Sequence, residues 1–136
     1  MKNIILVLLI IFKLQSYFCQ VPDSTSLNDN SIEAIVENPA EYPGGNNAMY
    51  QFISNNLSLP ESGIQKKISG KCYIRFVVEK NGEISNVTLL KGINDCVECN
   101  ESALQVVKSL PKMKPAKNEG KIVRSYYVLP IAFNFE

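Results

Sequence analysis

The sequence of 136 residues contains neither histidine nor tryptophan. The absence of histidine excludes the side chain that serves most often as a general base near neutral pH and most often as a metal ligand. Serines are plentiful, but no histidine can activate one, and a zinc site would have to be built from a few thiols. We therefore expect no catalytic residue, no metal site and no cofactor.

A strong charge of either sign is also missing. The sequence has 14 Lys and Arg residues against 13 Asp and Glu residues, which leaves a net charge of +1. Such a balance does not favour a nucleic acid or an acidic membrane surface as the partner. One basic cluster occurs near the C-terminus, and we interpret it as solvated surface: Lys108, Lys112, Lys114, Lys117 and Lys121.

Long hydrophobic runs are absent as well, because Lys13 interrupts the apolar run from Ile4 to Phe12. A membrane-spanning helix needs about 20 apolar residues, whereas a basic residue followed by a short apolar run is typical of a cleaved signal peptide. We predict that residues 1–20 form such a signal peptide. The mature chain is expected to begin at Gln20 to Asp23.

Cys19 offers a lipoprotein signal as the alternative, and with it an association with the membrane. Lipoprotein signals have small residues before the modified cysteine, whereas Tyr17 and Phe18 precede Cys19. We therefore expect Cys19 to carry no lipid.

The folded domain is predicted to span residues 42–136. The preceding stretch, residues 21–41, is polar and lacks periodicity, so we interpret it as a flexible leader. Apolar residues at helical spacing predict a first helix with one buried face: Met49, Phe52, Ile53 and Leu57. Asn46 or Asn47 would cap this helix, and a short helical segment would follow over Glu61 to Lys67.

Two strands joined by a tight turn form the clearest pattern in the chain. Apolar residues at every second position predict a strand with one buried face: Cys72, Ile74, Phe76 and Val78. Asn81-Gly82 is a strong hairpin signal, and Glu83 to Lys91 returns as the second strand. The apolar residues of this second strand are not in one register, which predicts a bulge near Ser85 or Asn86.

A helix and a final strand complete the domain. The helix is predicted over residues 100–110 and is ended by Pro111. The strand runs from Val123 to Glu136, and its odd-numbered residues form an apolar face with Ser125 as the only polar member. A hairpin followed by a helix and a strand favours the strand order 2-1-3. We predict an α+β fold in which two helices pack on a three-stranded antiparallel sheet.

Pro130 lies in the middle of the last strand, where it cannot donate a hydrogen bond to a neighbouring strand. Side-chain direction and hydrogen-bond direction alternate together along a strand, so the even-numbered residues direct their backbone groups to one side. Pro130 is accommodated if that side is a free edge of the sheet. The residues predicted to meet a partner at this edge are Arg124, Tyr126, Val128, Pro130, Ala132 and Asn134.

Three stretches are informative when they are read together: LPESGIQKKISGKCYIRFVVEKNGEISNVTLLKG, then ESALQVVKSLPKMKPAKNEGK, then VLPIAFNF. They resemble the TonB C-terminal domain family from about Tyr42 to Glu136. The resemblance implies a periplasmic binding domain without enzymatic activity. Its last strand, here Val123 to Phe133, would pair with an extended segment of a TonB-dependent outer-membrane receptor, the TonB box.

Full-length TonB proteins keep a membrane helix and a long proline-rich spacer. This sequence shows neither feature, so we do not expect it to transmit force from an inner-membrane motor on its own. The function predicted is therefore peptide binding by strand addition, associated with TonB-dependent transport. The alternative is a structural envelope protein that self-associates, as a homodimer, through the same edge.

The motif CVEC, Cys96 to Cys99, is the one sequence that could indicate reactivity. A thioredoxin-like redox pair occupies the start of a helix, which makes a thiol oxidoreductase a further alternative. The other possibilities are a structural Cys96–Cys99 disulfide in an oxidising compartment, free thiols, or a bond between Cys72 and one of the two. Cys72 lies on the buried face of its strand, and we interpret it as a small core residue.

Overall fold

The structure is a computed structural model that describes residues 30–135. Within this range it has three helices, α1 Gly45–Asn56, α2 Glu61–Gln65 and α3 Val97–Lys108. The strands are β1 Ile32–Glu33, β2 Ser69–Val78, β3 Ile84–Lys91, β4 Ala116–Asn118 and β5 Lys121–Asn134. The predicted signal peptide, Cys19 and residues 21–29 of the predicted leader lie outside the described residues.

The strands form a mixed sheet in the order β1-β5-β2-β3, and β4 forms a hairpin with the start of β5. β2 lies between β3 and β5 and pairs antiparallel with both, which is the predicted order of these three strands. The α+β class is confirmed. The counts of two helices and three strands are wrong for the described chain, and so is the all-antiparallel arrangement, because β1 pairs parallel with β5. β1 and β4 are too short to leave a periodic pattern in the sequence.

One face of the sheet packs on the helices. The β2 residues predicted for this face are fully buried: Cys72, Ile74, Phe76 and Val78. Leu129, Ile131 and Phe133 extend the same layer along β5, and Met49 of α1 and Val107 of α3 pack against it. Burial of each large apolar side chain stabilises a fold by about 1.5–3 kcal/mol relative to exposure. This layer therefore holds β5 in register beside β2.

The β2–β3 hairpin contains both the predicted turn and the predicted bulge. Gly82 N donates to Glu79 O, and Glu79 N donates to Glu83 O, both at 2.8 Å. The loop ends in Gly82 at φ 86, a left-handed conformation that glycine adopts without a steric penalty. Asn86 has φ 50, and the β2–β3 register shifts at this point of the ladder. This is the bulge that the mismatched apolar residues predicted.

Residues 30–41 are structured, which corrects the prediction that the flexible leader extends to residue 41. β1 lies within this segment. Asn38 and Glu41 also form isolated antiparallel bridges with Lys117 and Lys114. Isolated bridges are made by backbone groups and require no particular side chain, so no periodic pattern marks them in the sequence.

Two helix starts differ from the prediction. α1 has Gly44 at φ 90 as its N-cap, and no side chain caps it, so that neither Asn46 nor Asn47 has the predicted role. α3 begins one turn earlier than predicted, with Cys96 as its N-cap. The sulfur of Cys96 accepts a hydrogen bond from Cys99 N at 3.2 Å, and it thereby takes the position usually filled by a side-chain oxygen.

Candidate functional site

The outer side of β5 is covered only at its start. β1 pairs with β5 at Arg124 and Ser125, and no strand within residues 30–135 pairs with this side of residues 126–133. β2 occupies the opposite side from Ser125 to Asn134. The prediction that the C-terminal strand forms the edge is therefore corrected: β1 is outermost at the start of β5, and the free edge begins at Tyr126.

Four of the six residues predicted for the partner site lie along this free edge, namely Tyr126, Val128, Pro130 and Ala132, and Asn134 continues the same row at the end of β5. Tyr126, Val128, Ala132 and Asn134 are exposed, and Pro130 is half-buried. Alternation along the strand places their side chains on the face of the sheet opposite the helices. The structure therefore brings these five residues together in one row.

Arg124, the sixth residue, is already engaged within the chain. Its Nε lies 2.6 Å from Glu79 Oε2, its Nη2 lies 3.0 Å from Glu79 Oε1, and its Nη1 donates to the carbonyl of Asn30 at 2.6 Å. Ser85 Oγ donates to the same carboxylate at 2.5 Å. The pKa of Glu79 is lowered mainly by the hydrogen bonds from Arg124 and to a smaller extent by the hydrogen bond from Ser85. Arg124 thus ties the N-terminal segment to the end of β2.

We expect acid to destabilise the unaltered protein more than the Glu79→Gln variant. A carboxyl with a lowered pKa in the folded chain stabilises the fold at pH values above its ordinary pKa of 4.5. That contribution is lost as the pH falls through the lowered value. Urea unfolding at pH 7 and at about pH 3 measures the difference.

Glu83→Gln is the matched control for this measurement. Glu83 lies 3.9 Å from Lys112, and both side chains are largely exposed. Such an exposed ion pair contributes little to the stability of the fold. The same acid sensitivity in both variants would contradict the role assigned to Glu79.

A cation–aromatic pair lies beside the start of the free edge. Arg75 Cζ is 4.7 Å from the centre of the Tyr126 ring, a geometry in which the face of the ring attracts the guanidinium group. Arg75 Nε is buried and has no hydrogen-bond partner among the residues that the structure describes. The pair holds Tyr126 in place at the first position of the edge.

Pro130 pairs with Tyr73 in the middle of the β2–β5 ladder, and the register runs past it without a shift. A proline has no N–H, so it fits an unbroken ladder without loss where its nitrogen faces away from β2. Tyr126, Val128 and Ala132 are in phase with Pro130. Their backbone groups consequently face the free edge as well.

A groove of about 280 Å³ runs between α1 and this edge, and we call it the α1–β5 groove. Its lining consists of Tyr50, Ile53, Ser54 and Leu57 of α1, Pro130, Ile131 and Ala132 of β5, and Lys71 of β2. Sequence reasoning missed the groove because α1 and β5 meet only in the folded chain. One signal was available: no charged residue occurs between Glu41 and Glu61, although α1 is a surface helix.

The opposite edge of the sheet is less suited to pairing. The ladder between β3 and β2 has two irregularities, one of them at Asn86. Bulges interrupt the row of backbone donors and acceptors and increase the local twist, which discourages the addition of another strand. The β2–β5 ladder has no such shift, so residues 126–133 form the more regular of the two edges.

Cys96 and Cys99 form a disulfide at the start of α3, and both are buried. Cys72 has a free, buried thiol whose sulfur lies 3.2 Å from Asn100 Oδ1. Burial raises the pKa of Cys72. Reactive cysteines are partly exposed and have a lowered pKa, so this arrangement favours a structural disulfide over thiol catalysis.

We expect the double substitution Cys96→Ser with Cys99→Ser to destabilise the fold without affecting the edge of β5. The loop closed by the disulfide is very short, so the loss should lie at the low end of about 2–4 kcal/mol. Urea unfolding measures it. Treatment of the unaltered protein with dithiothreitol should reproduce the loss and leave the double variant unchanged. A double variant that is fully stable yet inactive would instead support redox chemistry.

Comparison with protein families identifies the domain. The family model described as Gram-negative bacterial TonB protein C-terminal matches residues 55–135. The chain belongs to this family. The matched range of this TonB C-terminal domain contains β2, β3, α3 and the whole free edge of β5. The resemblance inferred from the sequence is therefore confirmed. Comparison with curated proteins gives no match.

Solved structures of a TonB C-terminal domain from Helicobacter pylori have a similar fold. The NMR solution structure of its residues 194–285 aligns with a TM-score of 0.50 at 20% identity, and covers 65% of this chain and 91% of that chain. The NMR structure of its residues 179–285 aligns with a TM-score of 0.51 at 22% identity, and covers 69% of this chain and 87% of that chain. At these identities the likeness concerns the fold alone.

Proposed function

We propose that this TonB C-terminal domain is a periplasmic protein-binding module that takes up an extended peptide by strand addition at the free edge of β5. The proposed partner is a TonB box-like segment of a TonB-dependent outer-membrane receptor, which associates the protein with outer-membrane transport. The observation that supports this function is residues 126–133, a regular strand edge without a neighbour in the described chain. The predicted signal peptide and the family support the periplasmic location.

Strand addition takes its affinity from backbone hydrogen bonds and its register from the flanking side chains. Val128 and Ala132 each supply an outward N–H and an outward carbonyl, whereas Pro130 supplies only a carbonyl. The gap at Pro130 divides the edge into two short runs and so discourages pairing with any exposed strand. β1 already occupies the position beside Ser125. A partner segment is thereby confined to the stretch that begins at Tyr126.

Photo-crosslinking in intact cells tests this function. A photoreactive amino acid at Val128, which is 48% exposed on the free edge, is compared with one at Leu90, which is 50% exposed on β3. We expect only the Val128 position to form an adduct with an outer-membrane receptor, and mass spectrometry should map that adduct to an extended segment of the receptor.

Two other results would contradict the proposal. Adducts between two copies of the chain, formed at Val128 in place of a receptor adduct, would favour the homodimer. Equal adducts from Val128 and Leu90 would show that the β5 edge is not the binding site.

A further inference from the structure

We propose that the α1–β5 groove binds one apolar side chain of the peptide that pairs with β5, namely that of the residue opposite Ile131. The inference rests on the strand addition proposed above. It adds the chemistry of the peptide residue that the site selects, and it extends the binding surface from the strand edge onto α1.

The position of this side chain follows from sheet geometry. Residues directly opposite each other on paired strands direct their side chains to the same face of the sheet. Ile131 points to the helix-packed face and is 3% exposed, so a peptide residue opposite Ile131 points to that face too. There it meets the groove, whose β5 wall is made by Pro130, Ile131 and Ala132. Peptide residues opposite Pro130 and Ala132 lie on the outer face instead.

The lining of the groove favours an apolar side chain. Ile53 and Leu57 provide apolar walls. The polar side-chain groups that α1 contributes to the lining are the hydroxyl groups of Tyr50 and Ser54, which carry no charge. Lys71 is the one charged residue of the lining. No carboxylate is present there to pair with a basic side chain. The volume of about 280 Å³ lies just below the range of about 300–1,000 Å³ that holds small ligands, which suits a single side chain better than a cofactor.

The surface of α1 supports the same assignment. A surface helix normally carries charged residues on its solvent side, whereas α1 has none and exposes 46% of Tyr50 beside the groove. Depletion of charge and enrichment in tyrosine distinguish the centre of a protein interface from ordinary surface. The uncharged helix adjoins the free edge, so a peptide seated on β5 is in contact with both.

Peptide titrations followed by NMR test the proposal on the ¹⁵N-labelled domain. The probes are acetylated, amidated heptapeptides of threonine with leucine, alanine, glutamate or lysine at the central position. We expect the amides of residues 126–129 and 131–133 to shift. The leucine peptide should bind about tenfold more tightly than the alanine peptide, which corresponds to partial burial of the additional carbons. The lysine and glutamate peptides should bind more weakly than the leucine peptide, because burial of an unpaired charge in the groove is unfavourable.

A pair of tryptophan substitutions on α1 provides the control. Ser54 lines the groove, whereas the adjacent Asn55 is exposed and does not line it. Ser54→Trp should fill the groove and reduce the affinity for the leucine peptide to that for the alanine peptide. Asn55→Trp should retain the tenfold preference.

The outcomes separate this inference from the function on which it rests. If all peptides shift the edge amides with equal affinity, or if the glutamate peptide binds most tightly, the groove does not select an apolar side chain, although strand addition stands. If no peptide shifts these amides at millimolar concentration, strand addition itself is wrong and the groove assignment fails with it.

Discussion

Leu129→Pro is expected to abolish cooperative unfolding of the domain, whereas Val128→Pro, one residue earlier, should leave the melting curve almost unchanged. Leu129 is 1% exposed in the core, and β2 lies on the side to which its backbone is directed. The substitution removes a ladder hydrogen bond and leaves a buried carbonyl of β2 unpaired, at about 1–3 kcal/mol, and it removes core packing at about 2–5 kcal/mol. The sum is comparable with the entire stability of a small domain, about 5–15 kcal/mol.

Val128→Pro tests the free edge directly. Val128 is 48% exposed, and its backbone is in phase with that of Pro130. The fold should therefore tolerate the second proline, while an added strand loses one hydrogen bond, equivalent to about 0.5–1.5 kcal/mol. Thermal melting of both variants, beside titration with the leucine heptapeptide, measures both effects. If Val128→Pro melts as badly as Leu129→Pro, residue 128 does not face a free edge and the proposed binding site is wrong.

Gly82→Ala should destabilise the fold by about 3 kcal/mol or more, because Gly82 is a buried turn residue. Gly82 has φ 86, and a Cβ at this position would lie 2.2 Å from the carbonyl oxygen of Met113. The left-handed conformation alone costs an alanine about 1–2 kcal/mol. The Cβ is fixed to the backbone of the turn, and the oxygen belongs to the backbone of Met113, so no side-chain rotation relieves the clash. The turn would have to move away and lose the 2.9 Å hydrogen bond from Met113 N to Gly82 O.

Gly120→Ala separates strain from steric clash. Gly120 closes the β4–β5 hairpin at φ 75, and a Cβ there would meet nothing within 4 Å. This variant should therefore lose only the conformational term of about 1–2 kcal/mol. Urea unfolding of the two variants gives the comparison. Equal losses would mean that the contact between the β2–β3 turn and Met113 contributes nothing to the fold.

Local patterns predicted the central part of the fold correctly. The alternation through Cys72 and Val78, the turn at Gly82 and the bulge at Asn86 were each evident within a few residues of sequence. Alternation and turn chemistry act between near neighbours, so a short window of sequence contains the information. Short hairpins and a crossover helix also restrict topology enough to place β5 beside β2.

The starts of the helices were less predictable. Cys96 caps α3 through its sulfur and is bonded to Cys99, whereas cap prediction relies on side-chain oxygens. At α1 the sequence predicts a side-chain cap from one of two asparagines, whereas the N-cap residue is Gly44, which has a left-handed conformation and no capping side chain. At α1 several neighbouring residues could serve as the cap, and the sequence alone did not decide between them.

What the sequence determined by itself is the side of β5 that can accept a proline, and hence the row of residues from Tyr126 to Asn134. What only the tertiary structure decided is how far that row is open. Arg124 is removed from it by contacts with Glu79 and with Asn30, which is 94 positions away in the chain. The α1–β5 groove likewise joins α1 to β5 across most of the domain. Such contacts depend on the closure of long loops and on packing in three dimensions, and neither leaves a periodic trace in the sequence.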